Sequence, residues 1–157
     1  MKKVILIGFV ITFYSFIVQQ ITFPASEGII SESQLNTYYP NVLDTVKDKR
    51  IIVAIPLKIK KDSIIVSILN NTATFEQMFL CTHNLNHKLI DTYYIGKSTM
   101  WDGHSHVINY SIVGDTSLHF HHVDYGNILK DGNYEIDTVK HWEYDLSFSN
   151  KGSIIKK

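Results

Sequence analysis

The chain is poor in the residues that lock or kink a fold. It has one cysteine, Cys81, and three prolines in 157 residues. A single cysteine excludes an intramolecular disulfide framework. No cysteine follows the apolar N-terminal segment, so a lipid anchor on a new N-terminal cysteine is excluded as well. Charge of one sign is also lacking: fifteen Lys and Arg stand against fifteen Asp and Glu. Lys2 and Lys3 belong to the N-terminal segment and every acid lies beyond residue 26, so the remaining domain carries thirteen bases against fifteen acids, a net −2. A protein that grips a phosphate backbone is strongly basic, so nucleic acid is not an expected partner. No polybasic run offers a grip on anionic lipid. Glycine-rich phosphate loops, H-E-x-x-H, C-x-x-C and G-x-S-x-G motifs are absent, and no catalytic residue can be nominated.

Long hydrophobic runs are limited to one. Met1-Lys2-Lys3 is a short basic start, and Val4 to Val18 is fifteen uncharged, nearly all apolar residues. That is the length of a secretory h-region and short for a membrane-spanning helix. Residues 1–25 are read as a signal peptide or an N-terminal membrane anchor. Cleavage after Ala25 would place Phe23 where a small residue is preferred. Either form puts the domain outside the cytoplasm: periplasmic, secreted or associated with the cell envelope. Membrane contact is expected only through this segment, if it stays uncleaved.

Residues 26–49 form a polar lead-in. Ser31-Glu32-Ser33-Gln34 can open a helix that Pro40 limits, and Asn41 can cap a second short one with Leu43 and Val46 facing in. From residue 50 to 157 the pattern is strand after strand. Ile51–Ile59, Ser63–Leu69, Thr74–Thr82, Lys88–Ile95, His104–Val113 and Leu118–Tyr125 are β-branched or aromatic runs separated by turn residues. Trp142, Tyr144, Leu146 and Phe148 alternate with Glu143, Asp145 and Ser147, a clean period of two. Pro56 cannot donate to a strand ladder, so its strand is an edge or a bulged one. No helix-period stretch long enough for a parallel crossover follows residue 50. The expected fold is all-β or mainly β: a single antiparallel sheet domain, as a meander-type sandwich, a rolled sheet or a barrel, after an N-terminal signal helix.

Histidine is abundant, with eight residues, seven of them between His83 and His122. His104 and His106 are spaced H-x-H, and so are His119 and His121. On a strand such a pair shares a face, an arrangement that suits a transition metal, with Asp102 or Asp124 as a further ligand. A hairpin turning at Gly114-Asp115 offsets the two pairs by four to six residues, too far for all four to share one ion. Strand-borne metal sites that add a glutamate shortly after H-x-H find no glutamate after either pair. The plain reading is Phe120 inward with His119 and His121 in water, and no cofactor. Cys81, in the run Met78-Phe79-Leu80-Cys81, reads as a small buried hydrophobe.

The leading functional expectation is therefore an exported, non-enzymatic β-module that binds a protein or a small molecule, or plays a structural part in the envelope. The alternative is a histidine-based transition-metal protein or metalloenzyme, with His104, His106, His119 and His121 as candidates. A hydrolase or carbohydrate binder built from scattered residues, with Trp101 exposed for stacking, is a third possibility.

Overall fold

The computed structural model describes residues 21–43, 51–59, 62–71, 76–101, 103–114 and 116–157. Among the described residues, nine strands form one open antiparallel sheet whose spatial order is the chain order. They are β1 (Gly28–Ile29), β2 (Ile52–Leu57), β3 (Ile64–Asn71), β4 (Glu76–Asn84), β5 (Leu89–Trp101), β6 (His104–Val113), β7 (Ser117–Lys130), β8 (Asn133–Phe148) and β9 (Ile154–Lys156). Short turns make such a meander, because antiparallel neighbours need no crossover. The all-β single domain expected from the strand pattern is what forms. The apolar segment Val4–Val18 lies outside the described residues. Among the described residues no helix is long and apolar enough to cross a membrane.

β5 is the corner of the sheet. Its residues Leu89 to Ser98 pair with β4, and Thr99 to Trp101 pair with β6. Ser98 stitches the corner by donating its hydroxyl to the His106 carbonyl at 2.7 Å. Past the corner the sheet rolls back on itself. Ile64, Val66, Ile68 and Leu80 from the first half share one apolar core with Leu118, Phe120, Leu146 and Phe148 from the second. The C-terminal hairpin closes the roll: the Ile154 amide donates to Asp91 Oδ2 at 2.9 Å, and the Thr82 hydroxyl donates to the Gly152 carbonyl at 2.7 Å. Gly152 sits at φ +90°, and a Cβ there would lie 2.6 Å from Ile90 Cδ1. Only glycine meets both constraints.

The opposite face of β2 to β4 is covered by the lead-in. Ile30, Leu35, Tyr39 and Val42 pack on Ala54, Leu69, Phe79 and Cys81. With both faces covered, β3 and β4 read as near-continuous apolar runs rather than alternating ones. Helix α1 (Glu32–Tyr38) starts at Ser31, whose hydroxyl accepts from the Gln34 amide at 3.2 Å while Gln34 Oε1 accepts from the Ser31 amide at 2.9 Å. This reciprocal capping satisfies two of the free N–H groups at the helix start. The helix expected from Asn41 instead begins at Pro40, as α2 (Pro40–Leu43). Proline suits a first helical position, where its missing N–H would be unpaired anyway. Residues 44–50 lie outside the described residues. Pro56 sits on β2 beyond its two-residue pairing with β1, where no partner needs its N–H.

Residues 21–25 are part of the packed domain. The Tyr38 hydroxyl donates to the Ile21 carbonyl at 2.6 Å and Gln34 Nε2 donates to the Thr22 carbonyl at 2.9 Å. The Phe23 ring stacks on His87 with centroids 4.3 Å apart.

Phe120 is fully buried and Leu129 is 64% exposed on the same strand. Phe120→Ala is expected to cost about 3–5 kcal/mol in urea-unfolding free energy, and Leu129→Ala to stay within about 0.5 kcal/mol. Equal losses would show that the core does not lie where the alternation of β7 places it.

Candidate functional site

Strand parity decides which side chains meet. On β7 the residues Leu118, Phe120, His122 and Asp124 share the inner face, and His119 and His121 take the outer one. The register of the hairpins then builds rows across the sheet. Ile108, His122 and Trp142 form one row, and His106, Asp124 and Lys140 the next. Gly96 of β5 lies over the first row. A Cβ there would come within 2.9 Å of Ile108 Cδ1 and 3.3 Å of His122 Cε1, so glycine lets the backbone approach the ring.

These rows contain a continuous hydrogen-bonded chain. His106 Nδ1 lies 2.5 Å from Asp124 Oδ1, and His106 Nε2 lies 3.1 Å from His122 Nδ1. His122 Nε2 lies 3.3 Å from the Tyr144 hydroxyl, which is also 3.3 Å from the Ile95 carbonyl oxygen. The Trp142 indole stacks on both imidazoles, with centroids 5.1 Å from His106 and 4.8 Å from His122. Lys156 places its ammonium 4.1 Å from the Tyr144 ring centroid.

His122 is 2% exposed, and burial pushes its pKa down to about 4, aided by the nearby His106 and Lys156. Burial likewise pushes the Tyr144 hydroxyl upward, to a direction in which it stays protonated. With His122 neutral, one of its nitrogens donates and the other accepts. Two proton orders complete the chain. In one, Tyr144 donates to His122, His122 to His106 and His106 to the Asp124 carboxylate. In the other, Tyr144 donates to the Ile95 carbonyl, His122 Nε2 donates to Tyr144, His106 Nε2 donates to His122, and one extra proton sits on the His106–Asp124 bond. The two orders differ by a single proton added at Asp124, and the equal 3.3 Å distances at Tyr144 accommodate both. Such a chain can pass a proton inward or store one.

The Asp124 end opens on a cleft of about 240 Å³, lined also by Thr99, His104, Ser105, Tyr125 and Val139. His104 crosses Gly126, whose Cβ would sit 3.0 Å from His104 Nδ1 and 2.7 Å from Val139 Cγ2. The absence of a side chain at 126 is what seats His104 at the rim. All four ring nitrogens of His106 and His122 are engaged within the chain, and the half-exposed Asp124 carboxylate lines the cleft beside His106.

The four candidate histidines are thus divided. His104 and His106 border the cleft on the inner face. His119 and His121 lie on the outer face against β8, where His119 Nδ1 is 2.8 Å from Asp145 Oδ1. The H-x-H spacing put each pair on one face, but the two pairs have opposite parity relative to the sheet, so they do not meet. Asp124 joins His106 as a hydrogen-bond partner, and Asp102 lies outside the described residues. Among the described residues, no three His, Cys, Asp or Glu side chains are already gathered to hold a metal ion. The chain's interior members, His122 and Tyr144, and the stacked Trp142 belong to no H-x-H pair. Reading Leu118-x-Phe120-x-His122-x-Asp124 as a single inward row would have found His122 and joined it to Asp124.

Cys81 is fully buried, and burial pushes its thiol up to about 12. It is a packing residue with no thiolate to offer.

No family model, no curated protein and no solved structure matches this chain. The site is therefore interpreted on its geometry alone.

His122 also makes the fold sensitive to acid. Between pH 6.5 and about 4 the unfolded ring takes up a proton that the native ring refuses. The unfolded state then binds more protons, so stability falls as pH drops through that window and levels off below it. The expected loss from this ring alone is about 3 kcal/mol, at about 1.4 kcal/mol per unit. His122→Gln should flatten that part of the stability-against-pH curve measured by urea unfolding. An unchanged slope would mean His122 is not the buried neutral ring described here.

Proposed function

We propose that this protein is an exported, non-enzymatic binding module that takes a small polar ligand in the cleft between β5 and β8. The observation that supports this reading is the chain Asp124–His106–His122–Tyr144, which ends in a half-exposed carboxylate on the cleft wall. A carboxylate flanked by Ser105, Thr99 and Tyr125 suits a ligand that presents hydrogen-bond donors or a cation. Hydrolysis is less well supported, because the ring nitrogens that would act as a base are tied to one another.

The direct test is an NMR titration of the protein with arginine, ethanolamine and glucose as probes, following Tyr125 and His104. The reading expects saturable shifts with at least one cationic probe, weakened about tenfold or more by Asp124→Asn, which removes a charge-assisted bond. Failure of all three probes to shift either residue, or binding untouched by Asp124→Asn, would overturn the cleft as the ligand site.

Export rests on the basic start and the fifteen-residue apolar run before residue 19. The packing of Ile21, Thr22 and Phe23 on Tyr38, Gln34 and His87 adds a constraint on processing. A cut after Ala25 would discard those contacts, which supports the reading that any cleavage falls upstream of Ile21. Intact-mass analysis of the exported protein should give a first residue at or before 21. A mature chain beginning at Ser26 would overturn this placement.

A further inference from the structure

The outer face of the β7–β8 hairpin carries a second constellation, separate from the cleft. His119 and His121 are two apart on β7, and Glu143 and Asp145 are two apart on β8. The register sets His119 opposite Asp145 and His121 opposite Glu143. The Glu143 carboxylate lies between the two rings: its Oε2 is 3.7 Å from His119 Nε2 and its Oε1 is 3.7 Å from His121 Nε2. Those separations are too long for hydrogen bonds. Two donors bound tetrahedrally to one ion at 2.0–2.1 Å stand about 3.4 Å apart; here each ring faces a different oxygen of Glu143, so the three side chains are neighbours that must rotate before they can meet one ion.

The orientation of His119 is the second observation. Its Nδ1–H donates to Asp145 Oδ1 at 2.8 Å. This leaves the Nε2 lone pair turned toward Glu143. A carboxylate holding the far nitrogen of a ligand histidine fixes its tautomer and raises its basicity. The side chains of His119, His121 and Glu143 are 34%, 39% and 52% exposed, which leaves them rotamer freedom to close the remaining gap and leaves open positions for water.

We propose that His119, His121 and Glu143, with His119 oriented by Asp145, form a surface site for a divalent transition-metal ion of the zinc or copper class. Two imidazoles and a carboxylate suit a borderline ion rather than calcium or magnesium, which take oxygen donors. The three donors draw together on binding, and water completes the coordination. His141, whose ring centroid is 6.2 Å from that of His121 on the next diagonal position, stands beside the site and is not one of its ligands. The site is independent of the cleft, since alternate residues of β7 serve the two faces.

The test is a competition titration of the full, untagged chain with Zn²⁺ and then Cu²⁺ against a chromogenic chelator. One ion per chain is expected. His119→Ala and His121→Ala should each weaken binding about tenfold or more, and Asp145→Asn about tenfold through loss of orientation alone. His141→Ala and His104→Ala should stay within about threefold, as sites outside the ligand set. All five positions are solvent-facing, and circular dichroism with a thermal melt checks that each variant remains folded. Absence of binding by either ion, or affinity that survives both His119→Ala and His121→Ala, would overturn the site. So would a loss on His141→Ala that exceeds the loss on His119→Ala, which would move the ion to the other end of the row.

Discussion

An imidazole buried among Ile108, Gly96 and Trp142 cannot carry a charge cheaply, and cannot leave a nitrogen unbonded either. His122 meets both demands by remaining neutral and by bonding at each nitrogen, and this requirement organises the second half of the sheet. It needs His106 on the neighbouring strand to meet Nδ1 and Tyr144 on the other side to meet Nε2. His106 in turn needs Asp124 at its far nitrogen, which carries the chain to solvent. Glycine at 96 is needed because the β5 backbone must pass over the ring. Removing any member would strand a buried polar group in the core, so the network is tied to folding as much as to function.

The same dependence explains why the sheet rolls as it does. The chain spans three strands and touches a fourth at the Ile95 carbonyl, so β5 must turn across β6 to β8. Pairing β4 along one stretch and β6 along the next lets β5 do so. The aromatic side chains follow that turn. Trp142 caps the histidines, and Tyr144 stacks on Phe120 with centroids 5.6 Å apart, which joins the polar chain directly to the apolar core.

Much of this architecture was legible in the sequence, because strand periodicity and turn residues are local properties. The alternation Trp142, Tyr144, Leu146, Phe148 gave one inward face of β8, and Phe120 between His119 and His121 gave the inward face of β7 at that point. The offset expected of a hairpin turning at Gly114-Asp115 is also met: Ser105, between His104 and His106, pairs with Tyr125, five residues beyond Phe120. What local pattern could not give was the relation between strands that lie far apart in sequence. The roll that brings Ile64 against Gly152, and the passage of Gly96 over His122, depend on the bend at β5. The signal within β5 is Gly96 beside the bulge at Ile95, since glycine inside a strand marks a bulge or a close backbone approach. The start of α2 departs from expectation for a smaller reason: the fixed φ and missing N–H of Pro40 make it as good a first helical residue as a terminator.

His121 and His122 show how little sequence distance separates two kinds of chemistry. Adjacent residues on a strand face opposite ways, so one imidazole stands in water and its neighbour in the core. The exposed ring faces Glu143 across the strand pair and meets water. The buried ring has both nitrogens committed and is held neutral by desolvation, so it joins its neighbours by hydrogen bonds and has nothing left to bind an ion. A one-residue slip of β7 would exchange the two environments. It would bury His119 and His121 against Tyr110 and Ile108, and turn Phe120 into solvent. The apolar partners on β6 and β8 oppose that slip with the full burial of Leu118 and Phe120. The hydrophobic register of the hairpin therefore sets which imidazoles are buried and hydrogen-bonded inside the sheet and which stand in water outside it.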